Sequence, residues 1–262
     1  MIRIENCDNL ELLKSQPNES IDLIYCDILY GTGRNFGDYQ DLKCDRKVIE
    51  EHYIPRIKEM YRVLKDTGSI YLQMDFKISH WLRLLLDDFG LLFKNEIVWQ
   101  YGLGNNNKKR NWQEKHDTIL FVTKTNNYIW NDMRGDITQQ MKSKYCHQDE
   151  DGFYMMSYGE KYYLKGGKKM SNVWDLPNLS ATDSERVRYN TQKPKALIER
   201  IIKASSNEGG TVADFYLGSG TTSEVCYNLK RNFIGCDISE KAVNIAVKRI
   251  QDAGGNVTQQ RL

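Results

Sequence analysis

The residues with the clearest chemical potential lie at 214–222, which read D-F-Y-L-G-S-G-T-T. An apolar run, T-V-A-D-F-Y-L, leads into the glycines, and T-T-S-E-V-C-Y-N-L-K follows them with helical character. Strand, glycine loop and helix make a nucleotide-binding layout. Glycines let the backbone turn sharply and approach a ligand, while a helix N-terminus offers free N–H groups. The next apolar run, N-F-I-G-C-D, ends in Asp237. A carboxylate there can accept hydrogens from both hydroxyls of a ribose. The spacing G-x-G-T-T lacks the third glycine of the dinucleotide fingerprint and the G-K-[ST] of a phosphate loop. The predicted ligand therefore carries ribose and adenine but no phosphates.

A second acid stands at a strand end. The buried-strand pattern I-D-L-I-Y-C runs into Asp27-Ile28-Leu29-Tyr30 and then G-T-G-R-N-F. Taken alone, Asp27 reads either as a strand-end cap or as a carboxylate presented to a ligand.

Other constellations are weaker. His116 and Asp117 are adjacent, but no serine or cysteine sits in a nucleophile elbow, which argues against a hydrolase. The four histidines lack ligand spacing, so no metal is expected. The six cysteines make no C-x-x-C pair and read as small buried hydrophobes in a reducing compartment.

The elements that must position these residues alternate. Strands are predicted over 21–26, 69–74, 95–101 and 118–123, and helices over 50–64 and 78–86, with K-D-T-G stopping the first helix at Gly68. From about 124 to 185 the texture turns polar, tyrosine-rich and lysine-rich, as an insertion would. Regularity returns with K-P-K-A-L-I-E-R-I-I-K-A-S-S, a helix with Pro194 in its first turn. Strand, helix, strand and a last helix capped by Ser239 follow. The alternation predicts an α/β fold with a doubly wound, mostly parallel Rossmann-like sheet.

The chain has 262 residues, 40% of them apolar, and a net charge of +2. That suits one large domain with an insertion. No apolar run approaches a membrane span, and the N-terminus has no apolar signal core, so a cytoplasmic location is expected. Charge is clustered rather than global: Lys108, Lys109 and Arg110, then Lys161, Lys165, Lys168 and Lys169 among tyrosines. Such stretches can contact phosphates and stack on bases, or can be plain solvated faces.

The conjunction of motifs resembles a known family. D-F-Y-L-G-S-G-T-T is similar to the D-P-F-x-G-S-G-T-T signature of the amino-group DNA methyltransferases. T-Q-K-P at 191–194, with the following L-I-E-R-I-I, resembles the segment preceding that signature in the circularly ordered β class. There the catalytic half comes first, then the target-recognition region, then the cofactor half. The resemblance implies that order here: 1–124, 125–185 and 186–262. D-I-L-Y and G-T-G-R-N-F stand where the family carries D-P-P-Y and its downstream loop, with both prolines replaced.

The resemblance implies S-adenosyl-L-methionine as cofactor, double-stranded DNA as partner, and transfer of a methyl group to the N6 amino group of a flipped adenine. Asp27 and the carbonyl of Ile28 would accept the two amino hydrogens, and Leu29 would complete the turn to Tyr30, which would stack on the base. By the same likeness Cys7, Asp8 and Asn9 would contact the cofactor adenine, although Asp8 also reads as a plain helix cap. Asp27, Asp214, Phe215, Tyr216, Gly218, Ser219, Gly220, Thr221, Asp237 and Ile238 complete the expected cofactor site. Lys193 would approach the cofactor carboxylate or stand as solvated charge. Arg134, Lys142, Lys144, Lys165, Lys168, Lys169, Arg186 and Arg188, with 108–110, are the expected DNA contacts. Trp99 reads as core.

An aspartate rather than a serine at 27 leans toward adenine over N4 of cytosine, which remains the alternative. A second alternative is a cofactor- or DNA-binding relic, because prolines stiffen a loop and Ile28 and Leu29 lack that constraint. A homodimer and a cognate restriction endonuclease are the remaining partners suggested by the likeness.

Overall fold

A computed structural model describes residues 1–37, 39–102 and 110–258. It divides into two compact units: 1–131 with 172–262, and 132–171. The insertion expected over 125–185 is thus narrower as a separate unit, since 125–131 and 172–185 lie with the larger one.

The larger unit is built on an eight-stranded sheet. Its strands are β1 (Ile2–Asn6), β2 (Ile21–Asp27), β3 (Leu64–Met74), β4 (Leu92–Gln100), β5 (His116–Thr123), β9 (Val173–Asp175), β10 (Thr211–Asp214) and β11 (Asn232–Asp237). Their order across the sheet is β1-β11-β10-β2-β3-β5-β4-β9. The run from β1 to β3 is parallel throughout, and β5 alone runs antiparallel to both its neighbours. Helices α1 (Asn9–Ser15), α2 (Arg46–Val63), α3 (Phe76–Asp88), α5 (Lys195–Ser205), α6 (Thr221–Asn228) and α7 (Glu240–Asp252) accompany it. Two apolar clusters form the core. One joins α1, α2 and α3 to the sheet through residues such as Leu12, Ile57 and Leu82. The other joins α5, α6 and α7 through Ile198, Val225 and Ala246. The expected doubly wound α/β architecture is the one observed.

Several boundaries differ from the sequence expectation. The helix predicted to reach Gly68 ends at Val63, because Leu64 is fully buried and already pairs with Ile21 in the sheet. Pairing then jumps from Ile21–Leu64 to Leu23–Ser69, so K-D-T-G is a strand irregularity, not a helix stop. Strands β1 and β9 are too short to carry a visible period. Cys26, Cys226 and Cys236 are buried as expected, but Cys44 and Cys146 are exposed; both lie in connecting segments outside the sheet.

The smaller unit contains α4 (Gln139–Lys144) and a three-stranded antiparallel sheet of β6 (His147–Asp149), β7 (Gly152–Ser157) and β8 (Glu160–Tyr163). Phe153, Met156, Tyr158 and Tyr162 are exposed on it. Among the described residues no helix is long and apolar enough to cross a membrane.

Candidate functional site

The carboxyl ends of β10 and β2, which are paired neighbours, open into one cavity in the larger unit. Open parallel sheets place ligand sites at such strand ends. The cavity is lined from one side by Cys7, Asp8, Asn9, Asp27, Ile28, Leu29 and Tyr30. From the other side come Lys193, Asp214, Phe215, Tyr216, Gly218, Ser219, Thr221, Asp237 and Ile238. Residues expected from two distant parts of the chain therefore meet at a single place.

The glycine loop is held by its own backbone and by buried polar groups. Gly218 and Gly220 have φ of +53° and +74°. A Cβ at Gly220 would lie 2.4 Å from the Ala246 Cβ on α7, so no other residue fits there without movement. Asp214 is buried, and its carboxylate accepts from the Tyr216 N–H at 3.0 Å and the Thr222 hydroxyl at 2.6 Å. It therefore braces the loop. Burial outweighs those bonds and lifts its pKa to about 7. Arg249 supports the same loop from α7, donating to the Ser219 carbonyl at 3.1 Å while pairing with Glu224 at 2.7 Å.

Asp237 ends β11 and accepts from the Gly218 N–H at 2.9 Å and the Ser239 N–H at 2.9 Å. Those bonds aim its carboxylate at the cavity it lines. Ile238 beside it is 63% exposed, leaving an apolar surface at the rim. On the far side of β11, Asp8 caps α1 through the Leu10 N–H at 2.8 Å and pairs with Arg56 at 3.3 Å. Asn9 accepts from Arg56 at 2.6 Å. The cap is thus real, and Asp8 also faces the cavity.

The segment after β2 is fixed without prolines. The Ile28 N–H donates to the Gln73 carbonyl at 3.0 Å, extending the ladder between β2 and β3 by one bond that a proline would not make. The Ile28 side chain is 3% exposed and packs in the core. The Leu29 carbonyl accepts from the Tyr53 hydroxyl at 3.2 Å. Asp27 receives the Lys193 ammonium at 2.6 Å on one oxygen and the Tyr30 hydroxyl at 2.8 Å on the other. Burial raises the Asp27 pKa, the Lys193 charge opposes that rise and the Asp117 charge adds to it. The Lys193 ammonium also sits 5.1 Å from the centre of the Tyr30 ring. It is neither solvated nor free: its side chain is 14% exposed.

Several lining residues were not singled out from the sequence. His52 meets the Tyr216 hydroxyl at 3.1 Å, and burial with the Arg56 charge pulls its pKa down to about 4. Phe36 and Tyr39 stack on each other at 5.0 Å, and both line the cavity along with Tyr189 and Thr191. Phe36 ends the G-T-G-R-N-F run and Thr191 opens T-Q-K-P, whereas His52, Tyr39 and Tyr189 belong to no motif. Asp117, Gln73, Tyr25 and Tyr101 form a buried polar group behind Tyr30.

Trp99 is core, 1% exposed, with its indole N–H on the Leu176 carbonyl at 2.9 Å. Lys108 and Lys109 fall outside the described residues; Arg110 is exposed. Arg186 donates to the Leu179 carbonyl at 3.2 Å in the larger unit. Arg188 has a φ of +57°. In the smaller unit Lys165, Lys168 and Lys169 are exposed, as are Lys142 and Lys144 of α4. Lys169 lies 3.7 Å from Asp132, which also holds Arg134 at 2.8 Å.

Comparison with known proteins gives a consistent set. The model of the DNA methylase family matches residues 21–248. The type II methyltransferase M.HpaI of Haemophilus parainfluenzae is 35% identical over 254 residues, covering 93% of this chain and 73% of its own length. The DNA adenine methyltransferase YhdJ of Escherichia coli is 33% identical over 248 residues, covering 94% of this chain and 81% of its own. TTHA0409 of Thermus thermophilus, solved in complex with S-adenosyl-L-methionine, superposes with a TM-score of 0.68 at 17% identity, covering 100% and 98% of the two chains.

Proposed function

The chain belongs to the DNA methylase family, whose members modify an exocyclic amino group of adenine or cytosine, and from that premise we propose that it methylates N6 of adenine in duplex DNA. One observation carries the reading: the Asp27–Tyr30 segment and the glycine loop with Asp237 line the same cavity. A target amine held at the first and a methyl donor held at the second would be neighbours.

The residues present fit S-adenosyl-L-methionine. A tight glycine loop admits close approach, Asp237 offers acceptors for ribose hydroxyls, and the apolar Ile238 stands beside it. When bound, this cofactor supplies an activated methyl group on a sulfonium. The chain's own work is at the amine. An exocyclic amino nitrogen is a poor nucleophile because its lone pair delocalises into the ring. Asp27 accepting one N–H and the Ile28 carbonyl accepting the other would draw the lone pair out of that conjugation. Tyr30 offers the ring face on which an extruded base stacks. Lys193 opposes the rise that burial imposes on the Asp27 pKa and so favours the ionised form, the stronger acceptor.

Adenine is preferred over cytosine on two grounds. Asp27 stands where the cytosine-directed pattern more often has serine, and YhdJ, named as an adenine methyltransferase, shares 33% of its residues over nearly the whole chain. The smaller unit, with its exposed aromatics and lysines, is the proposed reader of the target sequence, with phosphate contacts from Lys165, Lys168 and Lys169 setting register. A cognate endonuclease and a homodimer belong to the same proposal.

The test is methylation of genomic and synthetic duplexes with methyl-labelled cofactor, followed by nucleoside analysis. N6-methyladenine is the expected product. N4-methylcytosine would transfer the reading to the other base. Cofactor binding without any product would establish the relic reading instead.

A further inference from the structure

We propose that Asp117 is a positioning residue for methyl transfer: through the Tyr30 hydroxyl it fixes the Asp27 carboxylate, the task that two prolines perform in D-P-P-Y. The proposal rests on the function proposed above and deepens it at the same site.

The Tyr30 hydroxyl lies 2.8 Å from Asp27 Oδ1 and 2.6 Å from Asp117 Oδ2. Both separations are in hydrogen-bond range, and the single Tyr30 hydrogen is shared between the two acceptors. The three groups form a single hydrogen-bonded unit, and displacing one displaces the others.

The anchor of that unit lies in the sheet rather than in the loop. Asp117 is 5% exposed, on β5, and accepts from Gln73 Nε2 at 2.7 Å and from the Tyr101 hydroxyl at 2.9 Å. Gln73 is fully buried on β3, and its carbonyl oxygen takes the Tyr25 hydroxyl at 2.8 Å. Tyr30 is thus tied to two paired strands, β3 and β5.

A purely structural acceptor at 117 would gain from being neutral, since burying a charge is costly. A carboxylate there has a further consequence. The Asp117 charge faces Asp27 across the Tyr30 hydroxyl and adds to the rise in the Asp27 pKa. The other groups facing Asp27 are Tyr25 and Cys26 on β2, Tyr39 on the following loop, Asp214 on β10 and Lys193 before α5. Of these, Lys193 supplies the only positive charge among the described residues in direct bond to Asp27.

Two variants separate position from charge. Asp117→Asn can still accept from Gln73 and Tyr30 with its amide oxygen, but carries no charge. Asp117→Ala loses the anchor as well. The expected result is a fall in kcat of about 10²-fold for Asp117→Ala, with the KM for S-adenosylmethionine unchanged. Asp117→Asn recovers about tenfold of that loss, and its acid limb of kcat/KM moves to lower pH, because removing a neighbouring negative charge lowers the Asp27 pKa. The companion measurement needs no activity. Carboxyl-carbon NMR of the full chain, with Asp27 identified by the signal lost in Asp27→Asn, should show Asp27 titrating at lower pH in Asp117→Asn than in the natural protein. An Asp27 titration that is unmoved or moves upward overturns the proposal, whether or not any duplex is methylated. So does a kcat for folded Asp117→Ala within about twofold of the natural protein.

Discussion

The loops after β10 and β2 occupy equivalent places, at the carboxyl ends of two paired parallel strands, yet they are held by different means. The β10 loop is a backbone solution. Gly218 and Gly220 take positive φ, Gly220 presses against α7, and the Asp214 carboxylate caps the turn from within. The β2 loop has no proline and is a side-chain solution. A ladder bond from Ile28, the Tyr53 hydroxyl on the Leu29 carbonyl, and the Asp27–Tyr30–Asp117 chain hold it. Backbone restraints are local and survive in a motif. Side-chain restraints are drawn from elsewhere in the chain and leave no local pattern.

The two regions should fail differently when broken. The largest effect is expected at Asp27. Asp27→Ala should lower kcat by about 10²–10⁴-fold, the range for a positioned acceptor or base. Cofactor affinity by calorimetry should hold within a few fold, since the glycine loop is untouched. A loss of binding equal to the loss of rate would show that the two loops do not act separately.

Gly220→Ala is the converse. The added Cβ meets Ala246 at 2.4 Å in a left-handed conformation, and both strain terms act together. Denaturant unfolding should register about 2–4 kcal/mol of destabilisation, from overpacking and positive φ combined. Cofactor binding should fall with it. A variant of natural stability would mean that α7 yields, and that the loop is not as fixed as its φ values imply.

Tyr53→Phe probes the side-chain solution more gently. It removes the hydroxyl that holds the Leu29 carbonyl at 3.2 Å and leaves the ring in the core. About 0.5–1.5 kcal/mol of stability should go, the net worth of one hydrogen bond. The decrease in kcat should exceed what that small figure implies for folding, because Leu29 lies between Asp27 and Tyr30. Equal modest losses in stability and rate would assign Tyr53 to packing alone.

This contrast also explains what could be read in the sequence. The glycine loop, Asp237 at the end of its strand, and the Asp27 segment were legible because each is a contiguous run whose chemistry is set by neighbours in the chain. The alternation of strand and helix was legible from period alone. Asp117 was not, because it reaches Tyr30 through the antiparallel register of β3 with β5, which places Gln73 opposite Ile119. Lys193 read as solvated charge or as a cofactor contact, and its partner Asp27 lies 166 residues away in sequence. His52 and Arg56 lay hidden in a helix whose period pointed only to its apolar face. The short strands of the smaller unit alternate weakly because its sheet exposes Phe153, Met156 and Tyr162.

The smallest effect at acid pH is expected at Asp214, and its sign sharpens the comparison. Burial raises the folded pKa to about 7, above the usual carboxylate value of 3.8. A group raised in this way favours the folded state while protonated. Its contribution is fully present below the unfolded pKa and is lost as pH rises through about 7. Asp214→Asn mimics the neutral carboxyl and keeps an oxygen for the Tyr216 N–H. Thermal unfolding should therefore rank it near the natural protein around pH 4 and progressively above it as pH rises to about 7, with little further widening beyond. A constant gap across that range would mean that the Thr222 and Tyr216 bonds dominate and the carboxylate stays ionised throughout. The same titration on Asp27→Asn should differ, because Lys193 stands against Asp27 and no cation stands in that position against Asp214 among its described hydrogen bonds. The backbone-held loop would then tolerate a neutral acid, while the side-chain-held loop needs a charged one to accept its amine.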